Sequence, residues 1–182
     1  LYALSIRLAV YDVRLWSRYV PNGRGLDDPH MNYKLRFLRA LADDSGRWLG
    51  ANPGGALALM GDFNVAPTDA DMGDPSFIPG LSTHISPAER EAFATLERVG
   101  LADVVRPIVP EGYTFWDYKQ LRFPRDEGMR IDFILGSPGL ADRVVDARIE
   151  REQRKGDAPS DHVPVVVDLQ GDDDDDDRPM IF

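Results

Sequence analysis

Two short segments of this chain carry the side chains best suited to chemistry. Gly61-Asp62-Phe63-Asn64 follows the apolar run Ala56 to Met60, and Ser160-Asp161-His162-Val163-Pro164 opens the last apolar stretch. Carboxylates, an amide and an imidazole at the ends of buried strands can bind a hard cation, hold a phosphate and position a water. Gly61 lets the backbone turn, and strand alternation then sends Asp62 and Asn64 to one side and Phe63 to the other. Each segment also has a plainer reading. Asp62 and Asn64 suit an Asx turn that caps a strand end, and Asp161-His162 suits a part-buried structural pair at a strand entry.

A third segment, Met129-Arg130-Ile131-Asp132-Phe133-Ile134-Leu135, places one carboxylate in an apolar strand. Burying Asp132 without a partner is costly, so it requires a hydrogen-bonding or charged neighbour. His162 is the natural candidate, and such a pair would fix the imidazole tautomer and raise its basicity. Thr114-Phe115-Trp116 and the tract Lys119, Arg122, Arg125, Arg130 set aromatics beside cations. That mixture fits a surface that contacts phosphates and inserts apolar groups into a duplex. It fits core aromatics under a solvated loop equally well. Tyr19, before Pro21-Asn22-Gly23, is ambiguous by itself, and Asp69 reads as turn chemistry.

The elements that must position these groups follow from periodicity. Alternation over residues 4–20 predicts two strands joined at a hairpin turn at Tyr11-Asp12, the second running from Val13 to Val20. Met31, Leu35, Leu38, Leu41, Trp48 and Leu49 have the spacing of an amphipathic helix that ends near Trp48 to Gly50. Ala56 to Met60 is a continuous apolar run, the mark of a strand buried on both faces. Ser86-Pro87-Ala88-Glu89 predicts a helix start with a capping box, and Gly100 a stop. Strands are then expected over 113–118, 129–135, 147–152 and 162–169, with a short helix or turn over 137–144. The order gives a mixed α/β (α+β) class with hairpins and no repeat.

With 182 residues the chain suffices for one domain with a sizeable core. The absence of cysteine removes disulfides and thiolate metal sites, which leaves oxygen and imidazole as ligands. Net charge is −10, which looks wrong for a nucleic-acid enzyme, but six of those charges are the run Asp172 to Asp177. Such a run repels itself and is expected as a disordered tail over 170–182, with the domain over 1–169. Arg7, Asp12, Arg14 and Arg18 interrupt the apolar start, so it reads neither as a signal peptide nor as an anchor. Arg outnumbers Lys, as in GC-rich bacterial genomes, and a bacterial cytoplasmic protein with no membrane partner is expected.

Together, Tyr19-Val20-Pro21-Asn22-Gly23, Gly61-Asp62-Phe63-Asn64-Val65-Ala66-Pro67-Thr68-Asp69, Thr114-Phe115-Trp116-Asp117-Tyr118, Arg130-Ile131-Asp132 and Ser160-Asp161-His162-Val163-Pro164 occur in an order that resembles the exodeoxyribonuclease III family. These are bacterial AP endonucleases of the endonuclease/exonuclease/phosphatase superfamily. The resemblance covers residues from about 3 to 169. It implies part of a four-layer α/β sandwich of the DNase I-like type. It also implies Mg²⁺-dependent hydrolysis (Mn²⁺ as a substitute) 5′ to abasic sites in double-stranded DNA, with 3′→5′ exonuclease action, by a monomer.

By this resemblance Asp62 orients or deprotonates the attacking water, Asn64 holds water and phosphate, and Asp132 pairs with His162 on the scissile phosphate. Asp161 takes part in Mg²⁺ binding, with Asp62 and Asn64 as further candidates, and Tyr19 touches the phosphate. Asn22 lies beside the DNA backbone, Arg130 belongs to the DNA-contacting surface, and Phe115, Trp116 and Met129 form the pocket for the flipped abasic sugar. Family members begin with a half that includes a Gln-Glu strand whose Glu is the main metal ligand, and nothing before Leu1 corresponds to it. A fragment with feeble activity is therefore expected. A phosphomonoesterase or phospholipase of the same superfamily, or a non-catalytic DNA-binding remnant, are the alternatives.

Overall fold

The computed structural model describes residues 3–8, by their backbone, and 12–171. The poly-Asp run lies outside them. Strands β1 (Ala3–Leu8) and β2 (Val13–Tyr19) form the expected antiparallel hairpin, with Asp12 at a positive φ of 44° in the turn. Helix α1 (Pro29–Ala51) then returns the chain to β3 (Ala56–Asp62), parallel to β2. Helix α2 (Pro87–Arg98) and the short β4 (Ala102–Asp103) precede β5 (Asp132–Gly136), which runs antiparallel to β3. The five strands lie in the order β1-β2-β3-β5-β4. After α3 (Pro138–Ala141), strands β6 (Val144–Ile149) and β7 (Val165–Leu169) make a separate two-stranded sheet.

Alternation along β3 explains the layering. Leu57 and Leu59 join Phe133 and Leu135 of β5 in a core with Leu38 and Leu41 of α1 and Phe93 and Leu96 of α2. Ala56 and Ala58 point the other way, with Ile134, toward Ala147, Val165 and Val167 of the second sheet. Small residues on that face suit close sheet-on-sheet contact. Helices, large sheet and small sheet are the three layers that the described residues form. Among them no helix is long and apolar enough to cross a membrane.

Several element boundaries differ from expectation, three of them for a local reason; β5 also begins at Asp132 rather than at 129. Helix α1 begins two residues before Met31, because Asp28 accepts the His30 N–H at 2.8 Å and Pro29 occupies the first turn, where its missing donor costs nothing. Residues 113–118 make isolated bridges rather than a strand. There Thr114 Oγ1 accepts both the Ile131 and Asp132 N–H groups at 3.1 Å, so a side chain replaces the backbone ladder. β7 starts at Val165, after Pro164, which has no N–H to give. β6 occupies residues 144–149, earlier than the expected 147–152.

Candidate active site

Tyr19, Asp62 and Asp132 are register partners on β2, β3 and β5. Partners directly opposite in a sheet share a face, so the three form one row across it. The face is the one that Ala58 and Ile134 present to the second sheet. The site therefore lies where the apolar contact between the two sheets gives way to polar side chains. Gly61 allows the row to form. Its φ is 138°, and a Cβ there would lie 1.9 Å from the Arg18 carbonyl oxygen.

The 113–116 segment brings His162 to this row. Val163 N–H donates to the Thr114 carbonyl at 2.9 Å, Trp116 N–H to Asp161 O at 2.9 Å, and Phe115 bridges both Met129 and His162. His162 Nδ1 then lies 2.8 Å from Asp132 Oδ2, and the Phe115 ring packs 5.0 Å from the imidazole. This is the partner that a buried carboxylate at Asp132 required. Burial would lower the pKa of His162, but the Asp132 hydrogen bond and charge, with Asp62 and Asp161 nearby, outweigh it and raise it above 6.5. Nδ1 is engaged, so Nε2 is the ring atom for other contacts.

Asp62 is held by the residue that follows its neighbour. Asn64 turns back at φ 51°, donating its backbone N–H to Asp62 Oδ1 at 2.8 Å and its Nδ2 to Oδ2 at 2.7 Å. Phe63, between them, anchors the turn by edge contacts with Phe93 and Phe133 at 5.5 and 6.0 Å. Burial, followed by the negative Asp132 opposite, pushes the Asp62 carboxyl up to about 7, against the lowering effect of Asn64, His162 and Lys34.

The amide of Asn64 is itself saturated. Nδ2 also donates to Val20 O at 3.0 Å, and Oδ1 faces Asn22 Nδ2 at 3.3 Å and His84 Nε2 at 3.1 Å. In this arrangement Asn64 acts on Asp62, and contact with a phosphate would require it to release a partner. Asn22, expected beside the DNA backbone, faces Asn64 and caps Arg24 N–H at 2.7 Å.

Behind Asn64 stands a buried ion pair that the sequence reading missed. Lys34 and Glu89 touch with neither side chain exposed, and Lys34 Nζ donates to Asn64 O at 2.5 Å. The signal was there for Lys34: a cation at a buried position of the α1 stripe, between Met31 and Leu38. His84, in a polar loop, gave none.

Four residues expected on a DNA-contacting surface are not on the surface, among them Arg122, which is 6% exposed and paired with Asp74 and Glu127. Trp116 is 0% exposed and packs against Phe123 at 5.2 Å, with Arg151 over its ring. Arg130 is buried, donating to Val109 O and to Asp103. Met129 joins Ala66, Ile85 and Ile131 in a small core. Large apolar area and internal ion pairing keep these groups inside, while Phe115 is half-buried and Tyr19, Tyr118, Lys119, Leu121 and Arg125 are exposed.

The donor set fits a hard cation only in part. Oxygen ligands are present, and the Asp62–Asp132 repulsion is what a cation would relieve. Yet among the described residues no three His, Asp or Glu side chains converge on one point, and Asp161 is half-buried beside His162.

Comparison with known proteins gives the family. The chain is 36% identical over 122 residues to exodeoxyribonuclease III of Haemophilus influenzae, an alignment that covers 63% of the chain and 46% of that protein. The 3′ phosphatase NExo from Neisseria, solved with a product DNA hairpin, superposes with a TM-score of 0.84 at 37% identity, covering 92% of this chain and 64% of that one. An AP endonuclease from Archaeoglobus fulgidus gives 0.79 at 31% identity with the same coverage. The chain spans about half the length of the curated relatives it matches. Residues 5–162 match the endonuclease/exonuclease/phosphatase family, a family of metal-dependent nucleases, and the chain belongs to it.

Proposed function

We propose that this chain carries the hydrolytic half of a Mg²⁺-dependent DNA-repair nuclease that cuts the phosphodiester 5′ to abasic sites in duplex DNA and removes nucleotides 3′→5′. The observation that carries the reading is the row of Asp62 and Asp132 with His162 closed onto it at 2.8 Å. Asp62, with its carboxyl near neutral, takes a proton from water as the oxygen attacks phosphorus. The P–O3′ bond breaks and the leaving oxygen takes a proton from solvent, giving a 3′-hydroxyl and a 5′-phosphate on the abasic sugar. His162, whose protonated form Asp132 favours, offers Nε2–H to a phosphate oxygen, and Tyr19 at the exposed end of the row contacts the same group. Phe115, packed against the His162 imidazole, is the aromatic left for the abasic sugar, with exposed Lys119 and Arg125 for the duplex backbone.

Asp161, with Asp62, would supply part of the shell of a Mg²⁺ ion, for which Mn²⁺ could substitute; Asn64 would join it only by releasing a partner of its side-chain oxygen. When bound, the ion stabilises charge on the phosphate and the leaving oxygen. The described residues do not by themselves complete that shell. The protein is proposed to act as a monomer in the cytoplasm.

The discriminating experiment offers three substrates with Mg²⁺ to residues 1–182 joined to the part of the Haemophilus relative that they do not cover: an abasic duplex, a duplex with a 3′-phosphate, and a lipid phosphodiester. Nicking 5′ to the abasic site supports the reading. Exclusive loss of the 3′-phosphate supports the second reading, a DNA 3′-phosphatase, which the similarity to the Neisseria enzyme favours. Cleavage of the lipid alone refutes both.

A further inference from the structure

We propose that His84 is a positioning residue for the hydrolytic carboxylate: its Nε2–H donates to Asn64 Oδ1 and, through that amide, fixes the plane of Asp62. The inference rests on the reading of Asp62 as the group that activates water.

The tautomer follows from the contacts. Asn64 must turn its NH₂ toward Val20 O and Asp62 Oδ2, which are both acceptors, so Oδ1 faces His84 Nε2 at 3.1 Å. A lone pair on Nε2 would meet that oxygen head-on and would leave a buried Nδ1–H. Nδ1 is buried without a partner among the described residues, and an orphaned acceptor there is tolerated better than an orphaned N–H. The 3.4 Å contact with Asn22 Nδ2 is longer than the Asn64 contact and does not decide the tautomer. His84 is 5% exposed and neutral: burial, followed by the Lys34 charge, holds its pKa at about 4.

The ring is mounted rigidly. His84 sits at φ 73°, a conformation that only a few non-glycine residues adopt readily. Its N–H donates to Glu89 Oε1 at 2.9 Å, its carbonyl accepts Ala66 N–H at 2.8 Å, and Phe77 meets the imidazole edge-on at 5.5 Å. Glu89 also holds Lys34, which in turn holds the Asn64 carbonyl. Asn64 is thus fixed at its backbone by Lys34 and at its side chain by His84, and both are referred to one carboxylate. A base oriented by a second group, itself oriented by a third, is the general form of an activated site.

The test uses ¹⁵N-labelled residues 1–182 without DNA or metal. Ring nitrogen spectra of the unmodified chain at neutral pH should show neutral His84 with the proton on Nε2; a proton on Nδ1 overturns the proposal whether or not any variant folds. His84→Phe keeps a ring but removes the donor, and hydrogen exchange of the Asn64 side-chain amide should quicken at least tenfold. His84→Gln restores a donor and should return exchange to within threefold of the original. Equal protection in the Phe variant overturns the proposal. If these results hold but the completed protein does not cleave DNA, the hydrolytic reading of Asp62 falls and the bond from His84 to Asn64 stands.

Discussion

Replacing Lys34 with Met should be among the most damaging single changes in the chain, and its cost can be worked from the contacts. The substitution keeps the aliphatic length that packs in the α1 stripe but removes an ammonium with two partners, Glu89 and Asn64 O. Glu89 is then a buried carboxylate without its cation. It keeps neutral donors: Thr83 Oγ1 at 2.8 Å, His84 N–H at 2.9 Å, and Ser86 through Oγ at 2.5 Å and N–H at 3.2 Å. Breaking a buried pair costs about 3–5 kcal/mol, and four remaining donors place this case toward the lower value, about 3 kcal/mol. The double variant Lys34→Met/Glu89→Gln should recover about 1–2 kcal/mol, because the stranded charge is gone. Urea unfolding at pH 7 measures both. In the parent, burial raises the Glu89 pKa but Lys34 and the hydrogen bonds outweigh it, so Glu89 is held below 4.5. Its stabilisation is therefore present above that pH and is lost as pH falls. In the single variant burial is opposed only by those hydrogen bonds, so the folded pKa rises and the gain in stability with rising pH should shrink. A loss under about 1 kcal/mol, or a pH slope as steep as the parent's, would refute the account of this pair.

Trp116→Ala should cost about 3–5 kcal/mol, as expected for a fully buried aromatic, with its effect on duplex affinity following from unfolding; denaturation and binding isotherms separate the two. Phe115→Ala should show the reverse balance, with affinity for abasic duplex falling more than stability. Gly61→Ala should destabilise by well over about 1 kcal/mol, since the new Cβ meets the Arg18 carbonyl and φ is unsuitable for an L side chain; thermal unfolding checks it. The imidazole of His162 should titrate above 6.5 by NMR and below that in Asp132→Asn, where burial remains and the charge is gone. Because the folded pKa is raised, the stability that this pair contributes should be complete below about pH 6.5 and lost as pH rises through the folded value.

Much of this arrangement is legible in the residues because each signal is local. Ser86-Pro87-Ala88-Glu89 carries its own capping chemistry, and helix α2 starts there with the full capping box. Asp132 in an apolar strand demands a partner, and His162 is found on it. The aromatic–arginine tract is different, since adjacency along the chain does not say which side of a ring a guanidinium approaches. Arg151 and Arg154, distant in sequence, supply the cation contacts to Trp116, Phe123 and Tyr118. The polar braces behind Asn64 join residues 20 to 55 positions apart, and only the folded chain brings them together.

The central claim is that Asp62 activates the water that cleaves DNA. Single-turnover cleavage of an abasic duplex with Mg²⁺, by the chain joined to the part of a relative that it does not cover, tests it most directly when Asp62→Asn is compared with the parent. The account predicts a rate lowered by about 10²–10⁴-fold with duplex affinity within a few-fold, as for loss of a general base. Cleavage by the Asp62→Asn protein at a rate within threefold of the parent would contradict it and assign the water to another carboxylate.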